Sequence, residues 1–223
     1  MAAMRPLTPH EARVLGTLME KARTVPDSYP LSLNTLVLGC NQKTSRDPVM
    51  ELTEAQAQAA IDTLKKQSLV FEASSSRVPR FEHNFQRGFG VSEAQSVLLG
   101  LLMLRGPQTP GELRLNSERW FKFADIASVE DALEALKARG EDTGAPMVVQ
   151  LARSAGMREQ RWAHLLCGET SFLAAAQAPS GPGAINFEAE PVSLGQAERL
   201  QQRIDTLERQ VAQLYKELGL SQA

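Results

Sequence analysis

Behind Thr8-Pro9-x-Glu11, a capping box with proline in the first turn, the apolar residues Val14, Leu15, Leu18 and Met19 fall at helical spacing and predict a first helix. Pro26 and Pro30 interrupt the pattern around an Asp27-Ser28 turn. Ser32 then caps a short second helix with Leu33, Leu36 and Val37 inward. Gly39 to Pro48 is a polar loop. Thr53-x-x-Gln56 opens a third helix striped by Ala57, Ala60, Ile61 and Leu64. Leu69-Val70-Phe71 and Val78 to Phe85, parted by Ser74-Ser75-Ser76, read as the strands of a hairpin.

The same order begins again at Ser92, which caps a strongly apolar helix through Leu104. Thr109-Pro110-Gly111-Glu112 boxes a short second helix, and Val129, Ala132, Leu133 and Leu136 stripe a third. Ser128-Val129-Glu130-Asp131 is expected in that third helix's first turn. Met147 to Ala152 and Gln160 to Leu166 are the strands. Residue identities repeat along with the elements. Arg77-x-x-Arg80-Phe81-x-His83 recurs as Arg158-x-x-Arg161-Trp162-x-His164, and Leu15-Gly16-x-Leu18-Met19 as Leu99-Gly100-x-Leu102-Met103.

A repeat of this length is a domain-sized unit, so the chain reads as two related small domains in tandem, residues 5–87 and 88–167. Three helices followed by a hairpin is the order of elements in a winged-helix domain. The expected class is mainly α with small β-hairpins (α+β). Residues 168–193, rich in Gly, Pro and Ala, read as a linker. Over 194–219, Leu200, Ile204, Leu207, Val211, Leu214 and Leu218 step alternately by four and three, the pattern of a C-terminal heptad helix. With Ile204 and Val211 at a positions and leucines at d, that seam suits a parallel homodimer; packing of the tail back onto its own domains is the alternative.

Composition adds limits. The 223 residues are 43% hydrophobic and 22% charged, as in ordinary globular proteins. The net charge of −2 argues against unspecific coating of nucleic acid. Its distribution is uneven: eleven Lys and Arg against nine Asp and Glu over residues 1–87, nine against ten over 88–167, and four against seven beyond. The two cysteines, Cys40 and Cys167, read as isolated thiols of a reducing compartment. Met1 to Arg13 carries no signal-type apolar segment and no run approaches a membrane span, so a cytoplasmic setting without a membrane partner is expected.

Several stretches also resemble a known family. Tyr29-Pro30-Leu31-Ser32-Leu33-Asn34, Cys40-Asn41-Gln42-Lys43, Ser45-Arg46-Asp47-Pro48-Val49, Leu104-Arg105-Gly106-Pro107-Gln108-Thr109-Pro110-Gly111-Glu112-Leu113 and His164-Leu165-Leu166-Cys167-Gly168 are similar to the YceH-like family of uncharacterised bacterial proteins. The resemblance runs from about Leu7 to Gly168. It implies tandem winged-helix domains and a bacterial cytoplasmic setting, with no assigned activity.

Two functions are consistent with these residues. In the first, the protein is a DNA-associated regulator whose wings and loop contact duplex phosphates through Arg77, Arg80, Arg158, Arg161, Lys43 and Arg46, cations of the type that position a protein on the backbone. In the second, it is a protein-interaction adaptor that uses its winged helices and heptad helix without nucleic acid. Carboxylates on both third helices weigh toward the second, the repeated arginines toward the first. The bland account of those arginines is a strand whose aromatic packs inward while the arginine is solvated or pairs with Glu82 or Glu159. For Arg46 it is pairing with Asp47. His10, His83 and His164 are too scattered for a metal site. No Ser/His/Asp arrangement or phosphate-cradling glycine loop occurs in the sequence, so no catalytic residue, metal or cofactor is expected.

Overall fold

Thr8 sets the start of the first helix: its hydroxyl accepts from the Glu11 amide while the Glu11 carboxylate accepts from the Thr8 amide. In a computed structural model, which describes residues 5–73, 78–139, 145–153 and 159–168, the chain then runs as follows. α1 (Pro9–Thr24) leads through a 3-10 turn (Pro26–Ser28) to β1 (Leu31–Ser32), α2 (Leu33–Cys40), α3 (Glu54–Lys66), β2 (Val70–Ala73), β3 (Arg80–His83) and α4 (Phe85–Phe89). The second series is α5 (Glu93–Arg105), α6 (Pro110–Ser117), α7 (Ile126–Lys137), β4 (Val148–Gln150) and β5 (Trp162–His164). Met1–Ala178 forms one compact unit; the linker beyond Gly168 and the heptad residues lie outside the described residues.

The expected capping boxes at Thr53 and Thr109 are formed, and the expected cap Ser92 makes a box with Gln95 as well. α7 differs. Its cap is Asp125, whose carboxylate accepts from the Ser128 amide at 2.8 Å, so Glu130 and Asp131 lie in the second turn rather than the first. The strand expected to reach Phe85 ends at His83. There the Asn84 amide donates to the Leu69 carbonyl at 2.7 Å, and Phe85 turns into the core to begin α4.

In the first repeat β3 lies between β1 and β2, all antiparallel, with Leu31 opposite Phe81 and Ser32 opposite Arg80. The second repeat has the β4–β5 pair and an isolated bridge of Gln108 to Trp162. That bridge reproduces the Leu31–Phe81 pairing, so each repeat brings a short segment ahead of its second helix onto its hairpin. Phe81 and Trp162 are both buried, as the duplicated strand motif requires if the aromatic faces the core.

Both repeats share one hydrophobic core. Its axis is the pair α1 and α5, buried continuously from Glu11 to Glu20 and from Ser96 to Leu104, and therefore enclosed on every side. The duplicated Leu-Gly-x-Leu-Met segment explains how they meet. A Cβ on Gly16 would stand 3.5 Å from Met103 Cβ and 3.0 Å from Leu104 Cγ; one on Gly100 would stand 3.2 Å from Met19 Cε and 2.7 Å from Trp120 Cζ3. Each glycine thus receives the methionine of the other repeat. This reciprocal exchange is the pattern of an isologous interface, here within one chain.

Candidate functional site

The loop after α2, residues 41–53, is held from beneath. Arg13 of α1, only 1% exposed, donates from Nη1 to the Cys40 carbonyl at 3.1 Å and from Nη2 to the Pro48 carbonyl. The Asn41 side chain pairs with both backbone groups of Leu52, at 2.8 and 2.7 Å. Arg46 points inward. Its Nη1 and Nη2 reach the two carboxylate oxygens of Glu20 at 3.1 and 2.5 Å, and Nε and Nη2 donate to the Gly39 carbonyl.

Arg46, one of the cations expected at a phosphate backbone, is thus engaged within the protein. Its side chain is fully buried, and its counter-ion is Glu20 of α1 rather than Asp47. Burial alone would raise the Glu20 carboxyl, but hydrogen bonds and charge from Arg46, helped by Lys21, hold it below the usual carboxylate range. Arg13, buried and close to the Arg46 charge, is pushed down to about 10. Lys43, on the same loop, is exposed.

The repeated hairpin arginines have matching partners. Arg80 Nη1 donates to the Pro30 carbonyl at 2.8 Å, and Arg161 Nη1 donates to the Pro107 carbonyl at 2.7 Å. Arg161 also pairs with Glu112 at 2.9 Å. In each repeat the guanidinium ties the second hairpin strand to the segment ahead of the second helix, in place of the expected pairing with Glu82 or Glu159. Arg77 and Arg158 lie outside the described residues. The strand histidines are desolvated: burial, with the Arg23 charge added for His83, pushes both His83 and His164 down to about 4.

Where the loop meets the second repeat, a polar cleft of about 300 Å³ opens. Ser45, Arg46 and Asp47 form one wall; Arg105, Pro107, Gln108, Glu112, Asn116 and Arg161 form the other. The walls are joined by the Asp47 amide donating to the Leu104 carbonyl at 2.8 Å and by Arg105 Nη2 donating to Ser45 Oγ at 2.8 Å. Two residues here have unusual backbones. Ser45 is left-handed at φ 62°, and Gly106 at φ 68°, ψ −160° occupies a region that is essentially glycine-only. The Ser45 conformation is braced by Arg46 Nη1 donating to its carbonyl at 2.9 Å.

The sequence pattern by itself gives Arg105, Ser45, Asn116, Arg13 and Glu20 no place in a site. Part of the signal was legible. Arg13, Thr17 and Glu20 repeat at i, i+4 and i+7, a polar stripe beside the apolar Val14, Leu15, Leu18 and Met19. Ser45-Arg46-Asp47-Pro48 and Arg105-Gly106-Pro107-Gln108 stood out as distinctive stretches, but nothing in one dimension placed them across a single cleft. Among the described residues no His, Cys, Asp and Glu group could hold a metal ion, and no helix is long and apolar enough to cross a membrane.

The family model described as "Protein of unknown function, DUF480" matches residues 7–178. The chain is 88% identical over 220 residues to a UPF0502 protein of Polaromonas naphthalenivorans, covering 99% of this chain and 100% of the relative. It is 62% identical over 215 residues to a UPF0502 protein of Albidiferax ferrireducens, covering 96% and 92%. A UPF0502 protein of Burkholderia orbicola is 51% identical over 220 residues, covering 98% and 92%. The chain belongs to this DUF480/UPF0502 family of uncharacterised bacterial proteins, in agreement with the YceH-like resemblance of its motifs.

Proposed function

We propose that this chain is a non-catalytic, tandem winged-helix adaptor of the cytoplasm that docks protein partners and self-associates through its heptad tail. The winged-helix reading is supported by three helices and an antiparallel hairpin in each repeat, with a segment ahead of the second helix pairing onto the hairpin. The observation that carries the adaptor reading is the engagement of Arg80 and Arg161 with the Pro30 and Pro107 carbonyls. These are the described cations that the duplication places identically, and their donors face the protein's own backbone.

Charge on the third helices supports the same conclusion. α7 exposes Glu130, Asp131 and Glu134 against Lys137, and α3 exposes Glu54 and Asp62 with Lys65 and Lys66. Lys65 is itself paired with Glu72 at 2.6 Å. Such faces repel a phosphate backbone or leave it unattracted, whereas affinity for duplex rests on neutralised phosphates.

The experiment is fluorescence anisotropy of a labelled duplex over a salt series, beginning near about 50 mM where phosphate contacts are strongest. No binding is expected there. The exposed Lys43, with Arg77 and Arg158, is what favours the DNA-associated reading. Measurable binding whose log–log salt slope falls by about 0.9 for each of these cations neutralised would establish it instead.

A further inference from the structure

Three guanidinium groups border the polar cleft, and two are neutralised: Arg46 by Glu20 and Arg161 by Glu112. Arg105 is not. It is half-buried at the end of α5, with Nη1 donating to Asn116 Oδ1 at 2.9 Å and Nη2 to Ser45 Oγ at 2.8 Å, both neutral acceptors. Among the described residues no carboxylate lies within ion-pair distance of it.

We propose that this cleft is a receptor for a single carboxylate presented by a protein partner, gripped by the Arg105 guanidinium and the Ser45 hydroxyl. The assignment rests on the adaptor reading above.

The donor inventory fits one such group. A guanidinium carries five N–H donors, of which two are occupied here by Asn116 and Ser45. Ser45 Oγ accepts from Arg105, which leaves its own proton to donate into the cleft. Burial depresses the Arg105 pKa, an effect that the Glu20 charge opposes and the Arg46 charge reinforces. Asp47 on the cleft wall selects against a second negative charge, so a monoanionic carboxylate is preferred to a phosphate dianion. Planar recognition of a carboxylate by guanidinium is the geometry in which arginine exceeds lysine. The cleft is also built for the purpose, since the buried Arg46 holds Ser45 in its left-handed conformation facing Arg105.

The test is an NMR titration of the full chain labelled with 15N, following the Arg105 Nε–H and the Ser45 amide. The probes are an N-acetylated, C-amidated Ala-Glu-Ala peptide, its Gln analogue, N-acetyl-trialanine with a free C-terminus, acetate, and inorganic phosphate. Saturable shifts at both signals are expected with the two peptide carboxylates, with the Gln analogue and phosphate weaker by about tenfold or more. Arg105→Gln should abolish the response and Arg105→Lys should weaken it. If Arg105→Gln does not fold, Ser45→Ala and the wild-type probe series decide.

Equal responses to the Glu and Gln peptides, no response to either, or tighter binding of phosphate would overturn the proposal. Acetate binding as tightly as the peptides would overturn its assignment to a protein partner. The two readings fail separately. Silent probes with no duplex binding remove only this cleft, whereas duplex binding that Arg105→Gln leaves unchanged removes only the adaptor.

Discussion

Arg46 closes on the carboxylate of Glu20 with two hydrogen bonds, at 3.1 and 2.5 Å, joining the loop after α2 to the middle of the molecule. By the repeat, Glu20 occupies the place of Leu104 in α5, which is fully apolar and 1% exposed. The first repeat has thus exchanged a core leucine for a buried ion pair, and the pair fastens the loop whose Ser45 and Asp47 form one wall of the cleft.

Breaking that pair is expected to cost more than replacing it. Glu20→Gln alone should destabilise by about 3–5 kcal/mol, because the buried Arg46 charge is left uncompensated, and Arg46→Met by less, because Glu20 keeps Lys21 at 3.0 Å. The double variant Glu20→Leu/Arg46→Met should recover a large part of this, since well-packed apolar replacement of a buried pair is often neutral. Urea unfolding of the three variants measures both quantities. A double variant no more stable than the worse single one would refute the account.

Arg80→Ala and Arg161→Ala should each destabilise by about 1.5–3 kcal/mol, the range for hydrogen bonds to charged groups. Neither should alter any salt-dependent association with duplex, because the donors already face Pro30 and Pro107. Chemical denaturation gives the first quantity and a salt series the second. A slope reduced by about 0.9 for either variant would show the guanidinium facing phosphate instead.

Gly100→Ala tests the central helix pair. Helix propensity favours alanine by about 1 kcal/mol, but the new methyl would stand 2.7 Å from Trp120 Cζ3 and 3.2 Å from Met19 Cε. Overpacking costs about 1–3 kcal/mol, so net destabilisation is expected, with a change in Trp120 emission as the ring moves. A variant more stable than the parent would show that the ring yields freely.

Stability should fall as the pH drops from about 6.5 toward 4. His83 and His164 are held near 4 by burial, below the ordinary value, so between those limits the unfolded chain binds protons that the folded chain does not. Their stabilising contribution is fully present above about pH 6.5 and is lost on acidification, by roughly 1–3 kcal/mol for each histidine. Glu20, held below the usual carboxylate range, adds a loss of the same sign at lower pH. Urea titrations at a series of pH values should show this slope. His83→Phe/His164→Phe should flatten its upper part, and an unchanged slope in that variant would locate the protons elsewhere.

Truncation after Gly195 should convert a dimer to a monomer and leave the described unit folded, if Leu200, Ile204, Leu207, Val211, Leu214 and Leu218 form a parallel seam. Leu207→Asp should act alike, since a carboxylate in that seam would be buried and unpaired. Light scattering on the full chain and both variants decides. A full chain that is already monomeric would favour packing of the tail on its own unit.

Amino-acid order alone specified most of the helices and caps and the repeated motifs, though not the Asp125 cap of α7 or the short α4, because these depend on residues three or four apart and on side chains that satisfy the first amides of a helix. Thr8, Ser32, Thr53, Ser92 and Thr109 each announce a helix in this way. The inward aromatic of the repeated strand was legible for the same reason, through its alternation. Tertiary structure alone decided which cations face solvent. Arg46 and Arg80 look alike in a linear string, yet Arg46 meets a carboxylate 26 positions away and Arg80 a carbonyl 50 positions away. The cleft is of that second kind: Arg105 and Ser45 are 60 residues apart and meet where the loop after α2 is tied to the end of α5 by the Asp47 amide and the Leu104 carbonyl. Local propensity acts over a turn of chain, whereas charge finds its partner through space.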